Sequence, residues 1–334
     1  MLFPSKKWCV TLSGSAAIAA LIMAGFSALA AAQAPRYPTR PIRMIVPLPP
    51  GGSTDILARI VAQKYTDGLG KTVLVDNRPG AGTSLGNELV ARAAPDGYTL
   101  LFASASIATN VPLYPKLPFH PVKDYTPIGT VGQSFYVLIV QPALGINTVQ
   151  ELIAMAKAKP NHVQYASAGQ GTITHMAVEL FMMNAQIKMQ DVPFKGGAPA
   201  LLAFLSGQMP VIFSPIAESL PYLRTGSKVR PLAVTAAKRV PDLPAVPTLA
   251  EAGVPDSVVM SRTAILSPKG TPQDVVNILN TELNRLLQQP DTRERLSTHG
   301  LVPVGGTPAE LTEYLTSEIA RWTKVVKVTG IKVE

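Results

Sequence analysis

The sequence predicts an α/β protein built as two lobes, and three observations carry that reading. Apolar strand-like runs alternate with amphipathic helix-like runs along the chain, the pattern of a parallel sheet with helices on both faces. A mature chain on the order of 300 residues favours two cores over one. The same strand–glycine–helix turn also occurs twice, as P-P-G-G-S-T-D at Pro49–Asp55 and S-A-G-Q-G-T at Ser167–Thr172. The first amides of a helix have no internal partners and carry the positive end of its dipole. Glycines let a ligand approach those amides closely. Two such turns, far apart in sequence, suit a protein that holds a small anion between two lobes.

The elements follow in order. Ile42–Val46 is a buried strand that runs through the first glycine turn into a helix at Ile56–Tyr65. A strand at Thr72–Val75, a helix at Leu85–Ala94 and a strand at Tyr98–Phe102 come next, the last closed by Ala103-Ser104-Ala105-Ser106. Pro115 to Pro127 holds four prolines and reads as an extended surface segment. Val137–Val140 is a strand and Val149–Lys157 a helix. The second unit is a strand at Val163–Ala166, a helix at Thr174–Asn184, a strand at Met189–Val192, a helix at Pro199–Leu205, and strands at Val211–Phe213 and Leu232–Thr235. Pro241 to Pro255, with four more prolines, reads as an ordered connection. After a strand at Ala264–Leu266, apolar residues at helical spacing mark helices over Pro272–Gln288 and Leu311–Val325. Segments near Phe135–Val140 and Val258–Ile265 cross between the lobes. Lobe one is then 36–136 with 260–334, and lobe two is 137–259.

The N-terminus reads as an export signal, residues 1–32. Lys6 and Lys7 precede an apolar stretch from Val10 to Leu29, with small-residue cleavage sites around Ala30. A membrane anchor is the competing reading, but the stretch is rich in alanine and no basic cluster follows it. The single cysteine, Cys9, falls within this signal. The mature chain therefore has no disulfide framework and no cysteine ligands, which suits a bacterial periplasm. Removing Lys6 and Lys7 leaves 28 Lys+Arg against 21 Asp+Glu, a charge of +7. The basic residues are scattered and aromatics make up 6% of the chain, so the footprint of a nucleic-acid binder is missing. A general attraction for small anions is the better use of that charge.

Several motifs compete with the binding reading. Gly82-Thr83-Ser84-Leu85-Gly86 matches the G-x-S-x-G elbow of α/β-hydrolases, with Ser84 as nucleophile and His299 and Asp291 as partners. The elbow needs a strand ending at its first glycine, and Asp76 to Ala81 intervenes. The same loop has the spacing G-x-G-x-x-x-G, one residue off a dinucleotide fingerprint, and no acidic residue ends the next strand. The four histidines are far apart with no ligand spacing. No metal, cofactor or catalytic residue is expected. His175, on the first turns of its helix, either faces the cleft or is a half-buried capping residue. Lys195 either pairs with a ligand carboxylate or is an exposed lysine. Asp55 reads as a helix-start residue favoured by the dipole.

The chain resembles the tripartite tricarboxylate transporter substrate-binding proteins, also called the Bug family. The resemblance runs from about Tyr37 to the last helix. Its pieces are Y-P-T-R-P-I-R-M-I-V-P-L-P-P-G-G-S-T-D-I-L-A-R from Tyr37, V-D-N-R-P-G-A-G-T-S-L-G from Val75, A-P-D-G-Y-T-L-L from Ala94 and S-A-G-Q-G-T-I-T-H from Ser167. P-F-K-G-G-A-P-A from Pro193, the run from Leu232 to Gly253 and P-K-G-T-P from Pro268 complete the series. The resemblance implies a two-lobed type II periplasmic binding fold that closes like a flytrap on a small carboxylate. It implies delivery of that ligand to an inner-membrane permease, and no enzymatic activity. A monomer is expected. The site it implies comprises Pro50, Gly51, Gly52, Ser53 and Thr54 from the first loop and Ala168, Gly169, Gly171 and Thr172 from the second, with Ser104 and Ser106 at the cleft edge. Two departures from the family pattern are Ser214, where aspartate is common, and Arg262, in a segment where an aromatic is common. If both face the cleft, a ligand without an ammonium group, bearing more than one carboxylate, is expected. A sensor subunit presenting solute to a signalling partner would share the same site.

Overall fold

Ile42–Val46 (β1) is apolar at every position but Arg43 and almost wholly buried, as a strand covered on both faces must be. The chain leaves it through the glycine turn into a helix at Ser53–Leu69 (α1), which ends on Gly70 in the left-handed conformation. Val73–Asn77 (β2) pairs parallel with β1 on one side, and Thr99–Ala103 (β3) on the other. Between β2 and β3, a 3₁₀ turn at Ala81–Thr83 leads into a helix at Ser84–Ala91 (α2). A helix at Ser106–Leu113 (α3) follows β3 directly. A computed structural model describes residues 37–225 and 229–331. From Arg40 onward they belong to one compact unit. The export segment expected at residues 1–32 lies outside the described residues. Among them, no helix is long and apolar enough to cross a membrane.

The arrangement then repeats. After the long strand Tyr125–Val140 (β4) and a helix at Val149–Ala158 (α4), Gln164–Ser167 (β5) runs through the second glycine turn into Ile173–Ala185 (α5). Gln190–Pro193 (β6), the helix Gly197–Leu205 (α6) and Val211–Pro215 (β7) come next, and β5 lies parallel between β6 and β7. Ile216–Thr225 (α7), Arg230–Val234 (β8), Met260–Pro268 (β9), Gln273–Leu287 (α8), Pro290–Thr298 (α9), Val302–Gly305 (β10) and Pro308–Thr329 (α10) complete the chain. Thr307 and Glu310 cap α10 reciprocally.

Strands run in the order β2-β1-β3-β9-β4-β7-β5-β6, with β8 and β10 paired to β4. Each half therefore contains a parallel triplet with its glycine-turn strand in the middle. The halves are joined by β4 and β9, which are antiparallel to each other and to the triplet strands they touch. The sheet is mixed, not the parallel sheet expected, because these two strands return between the halves.

Alternation along β4 sends Leu138 and Val140 into one cluster with Phe181 and Phe213. It sends Val137 and Ile139 into another with Phe204 and Ile212. A separate cluster in the first half gathers Ile45, Leu101 and Leu266. The last helix serves both halves: Leu311 and Leu315 belong to the first-half cluster, whereas Trp322 and Val325 belong to that of Phe181.

Candidate ligand-binding site

Both glycine turns leave the carboxyl end of the middle strand of a parallel triplet, where α/β sheets place their ligands. They open on one crevice of about 540 Å³, whose wall includes Ser53 and Thr54 from the first turn and Ala168, Gly171 and Thr172 from the second. Ser104 and Ser106 also line it.

The two turns are braced in the same way. Gly51 N–H donates to Asp55 Oδ2 at 2.9 Å, and Gly171 N–H donates to His175 Nδ1 at 3.2 Å. In each loop a first-turn side chain four residues on reaches back and ties a glycine amide. Asp55 also accepts from Arg59 Nε and from Asn77 Nδ2, both at 3.0 Å. Burial opposes its charge, but Arg59, the Gly51 amide and Asn77 outweigh it, and its pKa is lowered. The helix-start role expected of Asp55 is thereby realised as a brace for the loop.

This bracing changes which amides face the crevice. In the second loop, Ala168 N–H donates to Thr174 Oγ1, Gly169 N–H to Ser167 Oγ and Thr172 N–H to the Gly169 carbonyl. With Gly171 tied to His175, all four amides expected to serve a ligand already have partners. Among the described residues, the amides of Ile173 and Thr174 at the start of α5 make no such bond, nor do those of Gly52, Ser53 and Thr54 at the start of α1. Ile173, Thr174, Ser53 and Thr54 all line the crevice. The donors open to a ligand in the second loop thus lie two and three residues after Gly171.

A third loop, dismissed as chemistry from the sequence, forms part of the same wall through Pro79 to Thr83. Ala81, Gly82 and Thr83 all adopt positive φ, two of them with side chains that disfavour it. Asn110 Nδ2 holds this shape by donating to the Gly82 carbonyl at 2.7 Å and to Thr83 Oγ1 at 3.3 Å. Thr83 Oγ1 in turn lies 3.2 Å from Ser106 Oγ, which lies 2.7 Å from Ser104 Oγ. Three hydroxyls and the α1 amides therefore form one polar wall. The glycine-rich composition of 80–86 was the sequence signal for this loop, and the residues Asp76 to Ala81 intervening after the expected strand were the signal that it is not an elbow; in the structure that strand ends at Asn77. Ser84 is buried at the start of α2, and among the described residues no hydrogen bond joins it to His299 or any other histidine. The hydrolase alternative has no triad.

Eight of the expected residues, His175 among them, do not line the crevice. Lys195 is exposed, while its neighbours Gly196 and Gly197 line the wall. Ser214 is buried in β7 with Pro215 at the wall after it. Arg262 stacks on Tyr314 of α10, 4.2 Å from the ring centre. It shares the strand face of Ala264 and Leu266, and alternation gives Ser261 and Thr263 to the crevice instead. The condition on which an ammonium-free ligand was expected is therefore not met. Pro50, Gly51, Gly52 and Gly169 shape the loops and do not line the wall.

His175 is buried beneath the second loop. With Nδ1 accepting from Gly171, its neutral form carries the proton on Nε2, which lies 3.6 Å from Glu179 Oε1 and 3.8 Å from Asp191 Oδ2. Burial lowers the histidine's pKa and keeps it neutral, with Asp191 opposing. Burial also raises Glu179 to about 7, against the hydrogen bond that Tyr165 donates to it. A carboxyl raised from 4.5 to about 7 favours the folded state fully below pH 4.5, and that contribution is lost as pH rises through 7. Glu179→Gln keeps an acceptor for Tyr165 and removes the titration. Relative to the parent chain, the variant should gain up to about 3 kcal/mol between pH 4 and pH 8, read from urea unfolding at each pH. An unchanged difference across that range would place the Glu179 carboxyl in water.

Comparison with known proteins agrees with this geometry. Residues 57–331 match the family described as tripartite tricarboxylate transporter family receptor. Protein BugT of Bordetella pertussis is 37% identical over 320 residues, covering 95% of this chain and 98% of the relative. An R. palustris protein solved with adipate has a TM-score of 0.79 at 35% identity, over 89% of this chain and 99% of that one. MatC from Rhodopseudomonas palustris, with bound malate, has a TM-score of 0.76 at 33% identity, over 87% of this chain and all of the other. The fold is the two-lobed one of these periplasmic binding proteins. With a shared crevice, no triad and these relatives, the chain belongs to the Bug family of tripartite tricarboxylate transporter receptors, solute-binding proteins and not enzymes.

Proposed function

We propose that this chain captures a small carboxylate in the periplasm and delivers it to the membrane subunits of a tripartite tricarboxylate transporter. The observation that carries the proposal is the single crevice onto which the free first-turn amides of both α1 and α5 open. Amide dipoles attract a carboxylate without burying a cation. A ligand bridging both helix starts stabilises the closed arrangement of the lobes over the open one, the differential affinity that closure requires. The ligand carboxylate sits among the amides of Ser53, Thr54, Ile173 and Thr174 and the hydroxyls of Thr83, Ser104 and Ser106. Lobe one comprises 36–136 and 260–334 and lobe two 137–259, with β4 and β9 as crossing strands and α10 strapped across both. Both crevice walls come from one chain, so the receptor works as a monomer. Residues 1–32 are the export signal, removed on secretion.

Relatives solved with adipate and malate supply the first probes. Thermal unfolding of the protein with a panel of small carboxylates and their neutral amides tests the reading. At about a hundredfold excess over Kd, a bound carboxylate should add about 3 kcal/mol of stability, a shift of several degrees, and its diamide none. Equal shifts from acid and amide, or none from any acid, would overturn it.

A further inference from the structure

Among the described residues, the crevice wall carries no lysine or arginine and a single carboxyl group, that of Glu218. Glu218 lies in the first turn of α7, half-buried, and no hydrogen bond or ion pair from the described residues engages it. Its Oε2 lies beside the start of α6, within van der Waals reach (3.4 Å) of where a β-carbon on Gly197 would stand. Tyr136, which also lines the wall, feels the charge of Glu218. Burial raises the Glu218 pKa, as it must for a carboxyl with no cation to answer it. A helix-start glutamate that served its own helix alone would have no need of a place on the crevice wall.

We infer that Glu218 selects the ligand: the solute is a carboxylate that also carries a hydrogen-bond donor, an ammonium, amide or hydroxyl group, placed against this side chain. The inference rests on the carboxylate-receptor reading and refines it. The amides of α1 and α5 take the acidic end, and Glu218, acceptor-only when ionised, takes the donor end. A plain dicarboxylate brings a second negative group towards an unpaired one, and leaves the buried acceptor unsatisfied. Sites built around a hydrogen bond reject the analogue that lacks it more strongly than an apolar pocket rejects a missing methylene. This reverses the expectation of an ammonium-free polycarboxylate, which required Ser214 and Arg262 on the crevice wall.

Calorimetric titration of the full chain with matched acids tests the inference: succinate against L-malate, L-aspartate and L-asparagine, and adipate against 2-aminoadipate. At one chain length at least, the donor-bearing acid should bind tenfold or more tightly than its plain partner. Glu218→Ala should abolish that preference. Glu218→Gln, which keeps an acceptor without charge, should retain preference for the hydroxyl and lose it for the ammonium group. Thermal unfolding of both variants checks that they remain folded. Plain dicarboxylates binding as tightly as their substituted partners, or a preference unchanged in Glu218→Ala, would overturn the role of Glu218 and leave the carboxylate receptor standing. If none of the six acids binds, the receptor reading falls and the selectivity falls with it.

Discussion

Replacing Ser53 by proline should weaken carboxylate binding tenfold to a hundredfold while leaving the fold intact. Ser53 is the first residue of α1, and Gly52 before it is extended, with φ −78° and ψ 166°. Proline is favoured at the first helical position, where its missing N–H has no helical partner and its fixed φ suits the helix. An extended residue before it avoids the usual clash. The substitution therefore deletes one crevice amide and one hydroxyl without disturbing a hydrogen bond among the described residues. Hydrogen bonds to a charged group are worth about 1.5–3 kcal/mol each, which sets the tenfold to hundredfold range. Stability should be unchanged or slightly raised, since proline restricts the unfolded chain. Ser53→Ala, which keeps the amide, separates the hydroxyl's share. Thr172 before α5 is extended as well, with φ −68° and ψ 159°, so Ile173→Pro makes the same test on the second loop. Ile173 packs partly against a core cluster, and that variant should also lose some stability. Wild-type affinity in both proline variants would mean that the helix starts do not hold the ligand.

How far the sequence foretold this site depends on which feature is meant. The strand Ile42–Val46, the helix after it and both glycine turns were legible because buried strands are apolar and helix starts are punctuated by glycine, serine and threonine. The long strand β4 was not. It was expected at Val137–Val140 alone, because Pro115 to Pro127 read as an extended surface segment and the glycines and polar residues after it gave no strand pattern. Tyr125 to Val140 is nonetheless one strand, and its register shifts near Pro127 and Thr130 absorb the proline and glycines as irregularities. Helices α3 and α7 were missed because each contains a proline, Pro112 and Pro221. Within the site, the phase of β9 was available in advance. Ala264 and Leu266 face the core, so Arg262 shares their side and Ser261 and Thr263 take the other. The i to i+4 spacing of Gly51 with Asp55 and of Gly171 with His175 was also present, and it ties the very amides expected to be free. Glu218 had no signal of its own. Its place on the wall follows from how β7 and α7 meet the crossing strands, which is a property of tertiary packing.

Replacing Trp322 by alanine should cost about 3–5 kcal/mol of stability, the largest loss expected of any substitution here. Its ring is 1% exposed and belongs to the cluster of Leu138, Phe181 and Phe213, on a helix whose earlier residues Leu311 and Leu315 pack with Ile45 and Leu101. The loss is therefore of a tie between the two halves as well as of buried area. Trp322 Nε1 donates to Glu318 Oε2 at 2.9 Å, and Arg321 Nη2 donates to the same oxygen at 2.6 Å. Truncation would leave Glu318, already raised in pKa by burial, with fewer donors to hold its charge. Trp322→Phe keeps most of the packing and should lose a smaller part, about 1–2 kcal/mol, chiefly the indole hydrogen bond. Urea unfolding measures both. Trp322 does not line the crevice, so its alanine variant, at temperatures where it is folded, should bind carboxylate within a few-fold of the parent chain. The Ser53 variant should show the converse, weak binding on a stable fold, and the double variant should combine the two effects additively, as distant sites without shared partners do. Coupling above about 1 kcal/mol would mean instead that α10 sets the geometry of the crevice, and that strapping the lobes together and gripping the ligand are one function.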